Sequence, residues 1–212
     1  MRKLFILALS SLMIFSLTAC GSSNAANSAS SQKQAAETVT DKANSASAKT
    51  SEVKTANTKG KKILVAYFSQ SGNTRRAAEQ IHKLVGGDIV EVKTVTPYPT
   101  GYNECVEVAK KEKETNARPE LSTKVDNMAS YDVIFVGYPI WWHTAPMPIY
   151  TFLESYNLSG KTVIPFCTSG GSDISESMDA IKSLCPNSNI LEGLTANDAN
   201  KIEPWLTRIG MR

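Results

Sequence analysis

A short polar segment, Ser69-Gln70-Ser71-Gly72-Asn73-Thr74, has the residue types that bind a phosphate group. It lies between an apolar run and a helical pattern, where backbone N–H groups point outward together at the positive end of a helix. Gly72 permits a tight turn and a close approach of the ligand. The segment contains no Lys or Arg and matches neither the Gly-Lys-Ser/Thr loop of triphosphate sites nor the Gly-x-Gly-x-x-Gly dinucleotide turn. It therefore predicts a site for a phosphate monoester, the alternative being a helix N-cap without a ligand.

Two further segments follow predicted strands and carry residues suited to a flat ligand. The first, residues 138–148, places Trp141 and Trp142 side by side in a Pro-rich loop, where an aromatic ligand would cover them. The second, residues 167–172, consists of small residues that let backbone N–H and C=O groups approach a ligand edge. The alternatives are that the Trp residues belong to the core or an interface and that the second segment is an ordinary helix start.

His143, in the first of these loops, is the one residue whose chemistry could move a proton there. We expect it instead to be a lone surface histidine, and we interpret His82, on the first helix, as structural. Arg75 and Arg76 are expected to be solvated.

Elements that would position these segments alternate along the chain. Apolar runs predict strands at 63–68, 88–92, 131–137, 161–166 and 189–192, and periodic patterns predict helices at 74–85, 103–115, 147–156, 174–184 and 198–209. This alternation indicates an α/β fold with a parallel sheet. The carboxyl ends of parallel strands meet at one edge, so the three segments should lie together.

Taken together, the three segments resemble those of the flavodoxin-like family, over essentially all of residues 61–212. The resemblance implies a three-layer α/β fold, a five-stranded parallel sheet of order 2-1-3-4-5, and bound flavin mononucleotide (FMN). It implies that the phosphate is bound by Ser69, Gln70, Ser71, Gly72, Asn73 and Thr74. The ring would lie against Pro139, Ile140, Trp141, Trp142 and His143. The pyrimidine edge and ribityl chain would contact Thr168, Ser169, Gly170 and Gly171.

Three features depart from the electron carriers of that family. Residues 61–212 carry 16 basic and 17 acidic side chains, whereas the carriers are typically strongly acidic. The loop after the fourth strand lacks an aromatic residue, and the first ring loop has no Gly at Trp142-His143. Tyr98 and Tyr102 are candidates to cover an open ring face, but we expect them to pack a loop.

These departures favour a flavin oxidoreductase with room for a second substrate over a one-electron carrier. Three functions stay open: a flavin electron carrier, an FMN reductase using NAD(P)H or a quinone, and a flavin-binding lipoprotein without turnover. The partner would be a redox protein or a small-molecule electron donor or acceptor. Whether the protein is an enzyme stays open, and no metal site is expected. The near-neutral domain argues against a nucleic-acid partner.

The first sixty residues predict export and anchoring. Arg2 and Lys3 precede an uncharged run, as in a signal peptide over 1–19. Leu17-Thr18-Ala19-Cys20-Gly21 resembles the lipobox of bacterial lipoproteins, which implies a lipid on Cys20 and a membrane location outside the cytoplasm. Residues 21–60, rich in Ala, Ser and Thr without aromatic residues, predict a flexible tether. The alternatives are an ordinary signal peptide and a marginal helix at 33–49.

The remaining cysteines, Cys105, Cys167 and Cys185, are odd in number, so at most one disulfide can form among them. A bond between Cys167 and Cys185, which bracket one helix, is one possibility. Without a Cys-x-x-Cys pair, neither a dithiol nor a zinc site is expected.

Overall fold

The computed structural model describes residues 60–212, in which strands and helices alternate along the chain. The strands are β1 Ile63–Tyr67, β2 Asp88–Glu91, β3 Val133–Pro139, β4 Thr162–Thr168, β5 Asn189–Ile190 and β6 Leu194–Thr195. The helices are α1 Asn73–Val85, α2 Tyr102–Glu114, α3 Met147–Glu154, α4 Ser175–Leu184 and α5 Ile202–Arg208. Short 3-10 turns cover Met128–Ser130 and Ala199–Lys201.

The strands form one sheet of order β2-β1-β3-β4-β5 in which every pairing is parallel. Side chains alternate across it, so Val65 and Phe135 face one side while Leu64 and Ile134 face the other. The first side packs on α1 and α5, where Trp205 is fully buried. The second packs on α3 and α4, with Phe152 and Ile181 buried. The predicted α/β class, three layers and strand order are thereby confirmed.

The far edge of the sheet differs from the single fifth strand predicted over 189–192. Two short pieces, β5 and β6, pair in turn with β4. Val163 and Cys167 accept edge hydrogen bonds from Leu191 and Ala196, so Pro165, midway between them, faces the same edge without an N–H to donate. The ladder is therefore interrupted at Pro165, which divides the edge strand.

Two central strands run further toward the site than predicted. β3 ends at Pro139 and β4 at Thr168, and these two residues are partners in the ladder. Ile140 N–H extends the pairing by donating to the Thr168 carbonyl at 2.9 Å. Two residues expected in loops are therefore fixed by the sheet itself.

The polar helix predicted over 103–115 is α2. As expected, it contributes little to the core, and its buried residues are Cys105 and Ala109. The last helix, predicted over 198–209, begins as a 3-10 turn capped by Asp198, whose side chain accepts from Asn200 N–H, and continues as α5.

The cysteine thiols of the described part are free and buried, so the possible Cys167–Cys185 disulfide is absent. Burial raises the pKa of Cys167 to about 12 and that of Cys185 to about 11. Both therefore stay protonated at neutral pH.

The predicted signal peptide over 1–19, the lipid on Cys20 and the tether over 21–60 fall outside the described residues, Gly60 excepted, and stay predictions. Within residues 60–212, no helix combines the length and the apolar character needed to cross a membrane. The same residues contain no cluster of three side chains able to ligate a metal.

Candidate functional site

The turn from β1 to α1 presents free backbone donors. Gly72 adopts a left-handed φ of 84° at the start of α1, and its carbonyl accepts from Arg76 N–H at 3.1 Å. The Ser69 hydroxyl accepts from the amides of Gly72 (3.1 Å) and Arg75 (3.3 Å). The amides of Asn73 and Thr74, by contrast, have no acceptor among residues 60–212. Such unpaired N–H groups at a helix N-terminus form an anion site.

Side chains of this turn connect it to the end of β4. The buried hydroxyl groups of Thr74 and Thr168 lie 2.9 Å apart. Asn73 donates through Nδ2 to the Ser71 hydroxyl at 3.2 Å. Gln70 is the exception, since its amide donates to the Pro99 carbonyl at 3.0 Å and is occupied there.

The two arginines after the turn have different roles. Arg75 forms an ion pair with Glu91 at 2.6 Å on the side of β2. Arg76 donates to the Asn73 side chain, and its Nη1 lies 3.9 Å from the point where a Cβ on Gly72 would stand. Both are exposed, as expected of solvated residues, and Arg76 in addition places a positive charge beside the phosphate turn.

The loop after β3 contains a strained two-residue turn. Trp141 and Thr144 exchange both backbone hydrogen bonds, at 3.0 and 3.1 Å. Between them, Trp142 (φ 50°) and His143 (φ 65°) occupy the left-handed region, which costs non-glycine residues about 1–2 kcal/mol each. Backbone strain of this kind persists only where neighbouring contacts hold it.

Neighbouring helices hold this turn from two sides. On α2, the Val106 carbonyl accepts from Trp142 Nε1 at 3.2 Å, and Lys113 Nζ donates to the Trp142 carbonyl at 2.6 Å. On α4, Glu176 Oε2 lies 2.7 Å from His143 Nδ1, and this bond is the main cause of a lowered pKa of Glu176. His143 is exposed, as predicted, but the expectation of an unpartnered histidine is wrong.

His82, by contrast, has the structural role predicted for it. Its Nε2 lies 3.0 Å from the Gly87 carbonyl, just beyond the end of α1.

The adjacent tryptophans have separate environments. Trp141 is half-buried and packs edge-on against Phe68 (ring centroids 5.3 Å apart) and Tyr98 (5.2 Å). The Trp142 side chain contacts the outer surface of α2, and 38% of its surface is exposed. Tyr98 is 9% exposed and its hydroxyl donates to Glu112; burial is the main cause of its raised pKa. Trp141 thus belongs partly to the core, the alternative left open from the sequence.

The loop after β4 is held by a residue that sequence reasoning missed. Asn197 accepts from Ser169 N–H at 3.0 Å and donates to the Ser169 carbonyl at 2.7 Å. The Ser169 hydroxyl accepts from the amides of Gly171 (3.1 Å) and Ser172 (2.6 Å). The position of Asn197, just after β6 at the same sheet edge, is a signal that could have identified it.

These loops enclose a cleft with two adjoining cavities. One, of about 730 Å³, is the more polar of the two and includes Asn73, Arg76, Ser169 and Asn197. The other, of about 610 Å³, is more apolar and extends to α2. The two cavities share the residues Ser71, Tyr102, Pro139, Ile140 and Trp141.

Of the fifteen predicted ligand residues, twelve line this cleft. Ser69, Gly72 and Gly171 do not line either cavity. Ser69 and Gly72 instead determine the conformation of the first turn. The phosphate and ring segments therefore come together as predicted, and the contacts of individual residues with a ligand stay predictions.

Comparison with known proteins identifies relatives of the folded part. The family model described as Flavodoxin matches residues 62–209. A protein from Bacteroides eggerthii, described as a flavoprotein, is 42% identical, with a TM-score of 0.66 over 72% of this chain and 99% of its own. A similar protein from Bacteroides uniformis is 36% identical, with a TM-score of 0.64 over 70% and 99% of the two chains.

A more distant flavoprotein, from Lactobacillus acidophilus, was solved in complex with FMN. It is 24% identical, with a TM-score of 0.58 over 68% of this chain and 98% of its own, and supports the fold. None of the curated proteins matches the chain significantly.

Proposed function

Because this chain belongs to the flavodoxin family, we propose that residues 61–212 bind FMN and that the protein transfers electrons through it. The Lactobacillus acidophilus flavoprotein, which shares the fold, was solved with FMN, and this supports the same cofactor here. The chemistry of the cleft provides an independent test of whether FMN fits.

The polar cavity suits the phosphate and ribityl parts. The observation that carries the proposal is the pair of unpaired amides, Asn73 and Thr74, at the N-terminus of a 13-residue helix, where Asn73 lines this cavity and Thr74 lines the adjoining one. The hydroxyl of Ser71 adds a neutral donor and Arg76 supplies nearby positive charge. A dianionic monoester matches this set because it accepts several hydrogen bonds at once.

The apolar cavity suits the ring. Ile140, Trp141 and Trp142 line it, and Pro139 is fixed in the ladder beside Thr168. Of the loop after β4, Ser172 lines this cavity, while Thr168, Ser169 and Gly170 line the adjoining one. Polar and apolar halves in this order match a ligand with a phosphate at one end and a flat ring at the other.

When bound, FMN supplies the group that accepts and returns electrons. The chain's residues bind and orient it, and one of them can hold a proton in the cleft. Glu176 engages His143 at Nδ1, which leaves Nε2 available to exchange a proton with a substrate. This pair, together with the near-neutral charge of the domain, favours an NAD(P)H- or quinone-using reductase over a pure electron carrier.

Reconstitution tests this function. The full chain, incubated with FMN and then desalted, should retain flavin absorbance, and a colourless protein would contradict FMN binding. Bleaching by NAD(P)H with recovery on adding a soluble quinone identifies a reductase. Reduction by dithionite alone identifies a carrier, and bound flavin that neither reagent reduces identifies a flavin-binding protein without turnover. His143→Gln should slow the quinone step without releasing FMN if Nε2 supplies the proton.

The anchored location is a separate part of the proposal, supported by the sequence around Cys20. The mature chain should stay with membranes in high salt and be extracted by detergent, whereas Cys20→Ser should prevent lipid attachment. Release of the wild-type mature protein by salt alone would contradict the anchor.

A further inference from the structure

The loop after β3 supplies the ring half of the cleft with two aromatic side chains, Trp141 and Trp142. Trp141 is held there by its edge-on contacts with Phe68 and Tyr98. The loop after β4, residues 168–172, contributes Thr, Ser and Gly but no aromatic side chain. A flat ring bound in this half would therefore keep one face without an aromatic neighbour from that loop.

Tyr98 cannot cover that face. It is buried in the cluster with Phe68 and Trp141, and its hydroxyl already donates to Glu112. Moving it would break this bond and open the core beneath α2, which is costly because the site is closely packed.

Tyr102 has the opposite environment. It is 82% exposed, it lines both cavities of the cleft, and its hydroxyl has no partner within residues 60–212. An aromatic ring this exposed gains by covering another apolar surface, through both burial and offset or edge contacts. The first prediction for Tyr102, that it packs a loop, is thus wrong, because it has little protein to pack against.

The backbone of Tyr102 is nevertheless fixed with respect to the site. It is the first residue of α2, which is anchored in the core by Cys105 and Ala109. The same helix holds Trp142 through the Val106 carbonyl and Lys113. The Tyr102 ring can therefore be repositioned by two side-chain torsions alone, at a small entropic cost.

We propose that Tyr102 is the aromatic cover of the bound flavin ring, supplied by the start of α2 in place of the loop after β4. This inference rests on the proposed binding of FMN. It assigns Tyr102 a binding role toward the ring and none toward the phosphate, which distinguishes it from the residues of the first turn.

The test compares three variants of the full chain by titration with FMN and with riboflavin, which lacks the phosphate. Tyr102→Ala should weaken both affinities by the same factor, about three- to tenfold, the range expected for one aromatic contact. Tyr102→Phe keeps the ring and should stay within twofold of wild type, whereas Tyr102→Leu should resemble Tyr102→Ala. Residual flavin fluorescence in the complex should rise in the Ala and Leu variants, since less of the ring is stacked.

Two results would overturn the inference: Tyr102→Ala binding within twofold of wild type, or Tyr102→Leu binding as tightly as Tyr102→Phe. Far-UV circular dichroism should be unchanged in all variants, because the side chain is exposed. Failure of the proposed function gives a different result, in which the wild-type chain itself binds neither flavin.

Discussion

Replacing Gly72 by Ala tests the first turn at a position where backbone conformation, and not space, is the constraint. Gly72 has φ 84°, and the nearest atom to an added Cβ is Arg76 Nη1, 3.9 Å away. The cost is therefore that of a left-handed alanine, about 1–2 kcal/mol. For a domain of this size each kcal/mol lowers Tm by about 2–4 °C. We expect Tm to fall by about 2–8 °C.

Gly160 offers a matched control. Its φ is 73°, and no atom lies within 4 Å of its added Cβ. It lies just before the start of β4, at the amino ends of the strands, whereas the cleft lies at their carboxyl ends. Gly160→Ala should therefore cost the same stability as Gly72→Ala and leave the cleft intact.

FMN titration separates the two variants. Gly72→Ala strains the turn that orients the Asn73 and Thr74 amides. If one of these amides no longer reaches the phosphate, a hydrogen bond to a charged group is lost, so we expect the variant to bind FMN about tenfold or more weakly than the wild type. Gly160→Ala should bind FMN like the wild type. If the two variants have equal affinities, or if Gly72→Ala melts like the wild type, the account of this turn is refuted.

Substitutions at three further positions test other contacts. Asn197→Ala frees the second ring loop and should weaken FMN binding about three- to tenfold in a fluorescence titration, with unchanged affinity contradicting its role. Thr74→Val leaves the buried Thr168 hydroxyl unpaired and should lower the free energy of unfolding in urea by about 1–3 kcal/mol, whereas Thr74→Ser should not. Burial raises the pKa of Glu112 above 4.5, so its contribution to stability is present below that pH and is lost as pH rises through the folded-state pKa. Because glutamine does not ionise, Glu112→Gln should remove that loss, and its free energy of unfolding near neutral pH should exceed that of the wild type by less than about 1 kcal/mol. Parallel profiles of unfolding free energy against pH for the two proteins would contradict this.

The sequence predicted the central sheet because its strands are continuous apolar runs. β1 and β3 are buried on both faces. In a chain where strand and helix patterns alternate, a continuous apolar run of this kind is typical of a central strand in a parallel sheet. The divided edge strand was not predicted, because its cause lies in a neighbouring strand: Pro165 removes a donor from a ladder whose partners are 27 or 28 residues apart in sequence.

In the site, too, local features could be predicted from the sequence, whereas contacts between residues distant in sequence could not. The first turn could be predicted because its six residues are contiguous and their chemistry is local. Glu176 and Asn197 were not identified, since their partners His143 and Ser169 lie 33 and 28 residues away and no local pattern links them. The left-handed Trp142-His143 turn was also not predicted, because a bulky residue such as Trp rarely adopts that conformation, although His is enriched in it.

The most direct test of the central claim is an equilibrium titration of the flavin-free full chain with FMN and, separately, with riboflavin, followed by flavin fluorescence. The claim is that a turn of free amides binds a phosphate monoester while an adjoining apolar cavity binds the ring. It predicts saturable binding of one FMN per chain, and riboflavin binding weaker by a factor of ten or more, since riboflavin forms none of the phosphate contacts. Equal affinity for the two flavins, or no binding of either, would contradict it.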